Sequence, residues 1–196
     1  MTLKTFVILF ALLAPLPANA QELAPDALVR QVTTDVLDAI QKDGALQAGD
    51  RGKAIALAEQ KVLPHIDFME ATRLALGTWW KSATPDQRQR LSVEFRGLLV
   101  RTYANAIGAY KGQTMKVLPL RMEAGATDVT VRNQFLRPGA PPLRIDYAMY
   151  KTPAGWKIYD ITAEGVSLVL TYRSEFDQAV REAGIDGLIQ RIAAKG

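Results

Sequence analysis

The sequence predicts an α+β fold, and two changes of hydrophobic period carry that expectation. Apolar residues recur every three or four positions before residue 112 and after residue 167, but alternate with polar ones between residues 114 and 163. No strand-helix-strand repetition occurs, which argues against a doubly wound parallel sheet. The order is helices, a meander of about four antiparallel strands, then helices.

The chain opens with Lys4, an unbroken apolar run from Phe6 to Leu13, and Ala18-Asn19-Ala20, a small-residue site of the form signal peptidase accepts. The run is too short for a membrane anchor, which takes about 20 apolar residues. Residues 1–20 are therefore expected to be a signal peptide cleaved after Ala20, leaving residues 21–196 as one domain. Helices are expected over about 25–111 and 167–194, and the sheet over about 114–163.

Val29, Val32, Val36 and Ile40 form one helical stripe starting near Pro25, with Gly44 as its stop. A shorter helix runs from Lys53 towards Leu63, where Pro64 ends it. Asp67 caps a helix through Leu76, and Gly77 closes it. Thr84-Pro85-Asp86-Gln87 combines a capping hydroxyl, a proline at the first helical position and a reciprocal glutamine. The stripe that follows, from Leu91 through Phe95, Leu99 and Tyr103 to Tyr110, makes a long structural spine.

Val129, Val131, Asn133 and Phe135 alternate with Thr130, Arg132 and Gln134, and Leu143, Ile145, Tyr147 and Met149 with Arg144 and Asp146. Trp156, Ile158 and Asp160 continue on a third strand, and Thr114 to Leu120 supplies a fourth at an edge, because Pro119 cannot donate to the ladder. Ser167 is placed to cap a final long helix with the stripe Leu168, Tyr172, Phe176 and Val180, ending at Gly184.

Enzyme chemistry is thinly represented. The chain has no cysteine and one histidine, His65, so neither a Cys/His pair nor a three- or four-ligand zinc site is readily built. His65, after Pro64 at a helix junction, reads as a capping or surface residue. No Gly-x-Ser-x-Gly elbow or phosphate-binding glycine loop occurs. Asp160 and Glu164 flank one turn and form the nearest thing to an acid/base pair, but they read better as acceptors ordering the strand-to-helix corner. Without Lys4 the chain holds 23 basic and 20 acidic residues, a charge of +3, with no basic run to suggest nucleic acid. What the sequence holds in excess is apolar surface: five apolar stripes plus Trp79 and Trp80, more than a four-stranded sheet needs for its cover.

Two blocks carry a family resemblance. One is Leu63 to Phe68 (LPHIDF) with Leu76 to Arg88 (LGTWWKSATPDQR), and the other is Trp156 to Ile161 (WKIYDI) with Glu164 to Val169 (EGVSLV) and Tyr172-Arg173. These blocks resemble the signature of the MlaC family, periplasmic phospholipid-binding proteins of Gram-negative bacteria also known as toluene-tolerance or organic-solvent-resistance proteins. The resemblance extends in order over the mature chain to Gly184-Ile185-Asp186-Gly187-Leu188. It implies a twisted sheet of NTF2-like type with a helical extension, enclosing an apolar cavity for acyl tails while the headgroup stays near solvent. The expected protein is a non-enzymatic monomer with phospholipid as cargo and no cofactor, metal or nucleic acid. Its partners would be an inner-membrane ABC transporter with an MCE subunit and an outer-membrane lipoprotein-porin complex, between which the carrier maintains outer-membrane lipid asymmetry.

Under that resemblance the lipid-binding candidates on the strands are Val131, Phe135, Ile145, Tyr147, Met149 and Ile158. Leu76, Trp79, Phe95, Leu99, Tyr103, Val166 and Leu168 are expected to face them, and Arg132, Arg144 and Arg173 are candidates for the headgroup phosphate. Two other readings stay open: a periplasmic interaction or chaperone-like module without lipid cargo, and a small NTF2-like hydrolase or isomerase using Asp160 or Glu164.

Overall fold

Alternation along the strands builds an antiparallel sheet in which every neighbour in space is also a neighbour in sequence. The computed structural model describes residues 23–108, 113–137 and 139–195; the signal segment, its cleavage point, Tyr110 and Gly112 lie outside them. The sheet order is β1 (Thr114–Val117), β2 (Asp128–Arg137), β3 (Ala140–Thr152), β4 (Gly155–Ala163) and β5 (Val166–Ser167). Five strands form where about four were expected, because Val166 and Ser167 pair with Ala163 and Thr162 before any helix starts.

Period two sorts the side chains onto two faces. Val129, Val131, Asn133 and Phe135 stand opposite Met149, Tyr147, Ile145 and Leu143, making one apolar inner face. The register slips between Ala148 and Met149, which oppose Asp160 and Ile158, so Tyr159 is an extra residue in β4. That bulge reverses the parity of β4: Ile158 and Ile161 both belong to the inner face, while Asp160 turns to the other side. A simple count of two from Trp156 places Asp160 with the inward residues; the bulge is the reason it is not there.

The helices divide into two groups. α1 (Pro25–Lys42) starts with proline at its first turn, and its first half lays Leu28 and Val29 on the inner sheet face with Ile66. Its second half sends Val36, Ala39 and Ile40 against Leu46 of α2 (Gly44–Gln47) and Ala54 and Leu57 of α3 (Arg51–Lys61). Gly44 does not simply end α1: Asp43 leaves the helix and accepts the amides of Ala45 and Leu46, starting α2. α4 (Phe68–Leu76), α5 (Pro85–Gly108) and α6 (Arg173–Ala193) build a separate core around Leu91, Phe95, Phe176 and Leu188. The Phe95 ring meets those of Tyr172 and Phe176 edge to face at 5.2 and 5.1 Å.

The expected caps form. The Glu70 amide donates to Asp67 Oδ1 at 3.0 Å. Thr84 and Gln87 exchange reciprocal bonds, Gln87 N to Thr84 Oγ1 at 3.2 Å and Thr84 N to Gln87 Oε1 at 3.0 Å. Gly77 takes φ 60° and stops α4. At the C-terminal side the expected boundary moves: Ser167 Oγ accepts the Leu170 amide at 2.8 Å, but it caps a 3-10 turn, and α6 begins only at Arg173. Gly184, at φ 69°, kinks α6, and Ile185, Leu188 and Ile192 return to the same core, so the chain past Gly184 is a full helical arm.

The sheet and the helical core meet at Asp160. Its carboxylate accepts from the Ile161 amide at 2.8 Å, the Ser167 hydroxyl at 2.6 Å and the Val169 amide at 3.3 Å, and the residue is 8% exposed. Asp160→Ala strands these donors, and its cost in urea denaturation should be about 1–3 kcal/mol. The exposed Asp86→Ala should stay within about 0.5 kcal/mol of wild type.

A second joint lies where the Lys157 ammonium donates to the Pro64 carbonyl at 2.7 Å. Burial, and then the Lys157 charge, hold the His65 imidazole below its usual pKa of 6.5. The unfolded chain therefore binds the proton more readily than the native state. Stability should fall as pH drops below about 6.5 and be level above it as far as this group is concerned. His65→Gln should remove that part of the pH slope in thermal melts.

Candidate functional site

Among the described residues the inner face of the sheet is the extended apolar surface that the strands present, and its residues divide by accessibility. Val131 and Met149 are 0% exposed, and Val129, Trp156 and Ile158 are also buried, packed on Leu28 and Val29 of α1. Val117, Phe135, Leu143, Ile145, Tyr147, Ile161 and Ala163 stay half-buried. A side chain bordering space wider than a water molecule keeps accessible surface; one in van der Waals contact on all sides does not. The inner face thus has a sealed end, at the Val129 and Met149 row, and an incompletely covered end towards the β2–β3 hairpin.

The cross-strand registers make the accessible residues neighbours. Phe135 opposes Leu143, Ile145 opposes Ala163, and Tyr147 opposes Ile161. Directly opposed side chains lie about 4.5–5.5 Å apart at Cβ, so these six form a continuous apolar trough across three strands. At the border of the two zones the Tyr147 hydroxyl reaches the Thr33 side chain of α1, and loss of water pushes its pKa up to about 12. Asn133, 1% exposed, sits between Val131 and Phe135 on β2; its Nδ2 is 3.5 Å from the Val131 carbonyl and its Oδ1 has no hydrogen-bond partner.

The expected facing helices are elsewhere. Leu76 and Phe95 are enclosed in the α4–α5–α6 core, with Trp79 and Leu99 packed against it. The Trp79 indole donates to Asp177 at 2.8 Å across that core's surface. Tyr103, half-buried on α5, has its hydroxyl near Tyr172, and burial pushes its pKa up to about 12. Leu168 follows β5 and its amide donates to the Ile161 carbonyl at 2.8 Å, so it lies at the edge of the trough, whereas Val166 on β5 is 58% exposed. The structure brings together the six strand candidates, with Leu168 beside them; it gathers Leu76, Trp79, Phe95 and Leu99 into another cluster. The element that covers the sheet is α1, through Leu28, Val29 and Thr33. Of these, the sequence stripe Val29, Val32, Val36 and Ile40 contained Val29 alone, and it did not show which surface α1 met; Leu28 and Thr33 were missed.

Parity also separates the arginines from the trough. Arg132 and Arg144 project from the opposite face of the sheet, and both are exposed. Arg173 begins α6 and lays its guanidinium against Gly77, where an added Cβ would come within 3.0 Å of Nε. It is placed to complement the carbonyl end of α4.

The carboxylates considered for catalysis have structural partners: Asp160 in the corner described above, and Glu164, whose side chain accepts the Arg144 amide. Among the described residues no group of three or more His, Cys, Asp or Glu side chains is arranged to hold a metal ion. Among the same residues no helix is long and apolar enough to cross a membrane. A surface cleft of about 260 Å³ lies between α1 and α3, where Leu28, Val32, Gln60 and His65 contribute to its lining. It is separate from the trough, and the Lys61 and Asp35 charges within it are 3.6 Å apart.

With this geometry in place, similarity to known proteins becomes informative. The sequence is 25% identical over 194 residues to the intermembrane phospholipid transport system binding protein MlaC of Haemophilus influenzae, covering 97% of this chain and 90% of that one. It is 24% identical over 190 residues to the toluene tolerance protein ttg2D of Pseudomonas putida, covering 93% and 84%. The fold superimposes with a TM-score of 0.79 and 38% identity on a phospholipid-binding protein of Ralstonia solanacearum solved in complex with a phospholipid, covering 86% of this chain and 94% of that one. Residues 30–194 match the MlaC protein family, and this chain belongs to it.

Proposed function

We propose that the protein is a periplasmic phospholipid carrier, and that the trough over Phe135, Leu143, Ile145, Tyr147, Ile161 and Ala163 forms part of the wall that receives acyl tails. The observation that carries this reading is an apolar sheet face that is sealed at one end and incompletely covered at the other, in a chain 38% identical to a protein solved with a phospholipid bound. Each buried methylene contributes about 0.8 kcal/mol, so a tail of roughly sixteen carbons loses on the order of 12 kcal/mol of favourable transfer if left in water. A carrier crossing an aqueous compartment must replace the bilayer with side chains.

The chemistry of the trough suits tails of variable length. Leucine, isoleucine, alanine and aromatic groups impose no fixed polar partner, and the accessible end lets a chain enter along the strands. Sealed residues such as Val131 and Met149 give the floor its rigidity. In this reading the exported chain collects glycerophospholipid at one membrane complex and delivers it to another, between an outer-membrane lipoprotein-porin complex and an inner-membrane ABC transporter with an MCE subunit. The result is preserved outer-membrane lipid asymmetry, with no bond made or broken in the cargo.

Solvent extraction of the protein purified from its host, followed by mass spectrometry, should yield near-stoichiometric phospholipid. Lipid-free protein that captures a protein partner would replace the carrier reading with that of an interaction module. Ile145→Trp fills the accessible end without introducing charge. It should lower co-purified phospholipid severalfold while thermal unfolding remains cooperative; unchanged lipid content would remove Ile145 from the wall.

A further inference from the structure

The face of the sheet opposite the trough carries a cluster of cations. Lys116 on β1, Arg132 on β2 and Arg144 on β3 all point to this side and are exposed. Lys116 and Arg144 stand in one row, with Gln134 between them, and Arg132 lies two residues along the central strand. With strands about 4.8 Å apart and about 6.8 Å between every second residue, the three Cα positions fall within roughly 10 Å of one another. That is close to the screening length of about 8–10 Å at physiological salt, so their fields add.

Sheets commonly place an acid across from a base. Here Arg132 faces Asp146 across the strands without forming an ion pair, and Glu164 is engaged by the Arg144 backbone amide. Among the described residues none of the three cations is paired with a carboxylate within 4 Å. Leu136, which opposes Thr114 next to the Lys116 row, adds a large apolar side chain that is 39% exposed. Among the described residues, Lys116, Arg132 and Arg144 stay exposed, and α4 meets this face at its other end, where Tyr150 donates to Asp67.

We infer that this face docks on an anionic phospholipid bilayer surface through Lys116, Arg132 and Arg144, with Leu136 entering the headgroup layer. Charge complementarity selects an anionic occupant. One feature favours a lipid surface over an acidic protein. The large apolar side chains exposed among the described residues are Leu23, Val93, Met122, Leu136, Val166 and Leu170, without an aromatic anchor of the kind protein interfaces depend on. A bilayer needs only positive charge and shallow apolar insertion. The inference is independent of whether the trough holds cargo, because the two faces point in opposite directions.

The test is flotation of the full chain with vesicles of phosphatidylcholine alone, or of phosphatidylcholine mixed with phosphatidylglycerol. Wild type should bind only the anionic vesicles and should be released by salt. The triple variant Lys116→Ser, Arg132→Ser, Arg144→Ser should bind them roughly a hundredfold more weakly, the product of three basic contacts. Leu136→Ser should weaken binding severalfold at unchanged charge. The triple variant Arg30→Ser, Lys42→Ser, Lys81→Ser, with the same loss of charge at exposed sites elsewhere, should stay near wild type. Equal losses in the two triple variants reduce the effect to net charge and overturn the inference, as does wild type that ignores anionic vesicles and binds an acidic protein instead. Phospholipid content measured on the patch variant separates this from the carrier reading: it should equal wild type, and its loss would assign the patch to cargo binding.

Discussion

A buried carboxylate holds this architecture together. Asp160 lies in the second half of β4, and its oxygens accept from Ile161, Ser167 and Val169, on the path of the chain towards α6. The inner sheet face and the helical core are separate hydrophobic clusters, linked as well by Tyr150 to Asp67 and Lys157 to the Pro64 carbonyl. Burying a polar side chain in this position is tolerable only because two amides and a hydroxyl bond to it in place of water.

The bulge at Tyr159 makes Asp160 available for this role. Without the extra residue, period two would turn Asp160 towards Met149 and Val131, where an apolar surround offers no donors. With it, Ile161 takes the inner face opposite Tyr147, and the apolar surface continues to Ala163. Tyr159 itself joins the opposite face, where its ring meets Tyr150 edge to face at 5.8 Å and its hydroxyl donates to Asp128. One inserted residue therefore gives β4 an apolar inner side and a polar outer side at the same height.

The sheet's two faces have different physics. The inner one offers area without polar commitments, apart from the buried Asn133, whose Oδ1 is unpaired. The outer one is hydrogen-bonded to α4 at one end, through Asp67 and Tyr150, and positively charged at the other. Arg132 and Val131 are adjacent in the chain and serve opposite faces. Arg132 and Arg144 therefore do not line the trough, because the sheet itself stands between them.

Sequence alone determined the class of the fold, the caps and most of the strand alternation, because these depend on interactions within a few residues. Thr84 with Gln87 and Asp67 with Glu70 are closed locally, and Val129 to Phe135 announces its own period. The two motif blocks, read together, also identified the family. What tertiary structure decided was which apolar stripe meets which. Leu76 and Phe95 are as apolar as Leu28 and Val29, yet α1 lies on the inner face of the sheet, while α4, α5 and α6 bury one another. Hydrophobic burial is non-directional, so a stripe states that it must be covered and not by what. The bulge at Tyr159, the start of α6 at Arg173 and the division of the inner face into sealed and accessible ends all follow from long-range packing. For that reason the candidate site was legible as a set of strand residues, but its boundary was not.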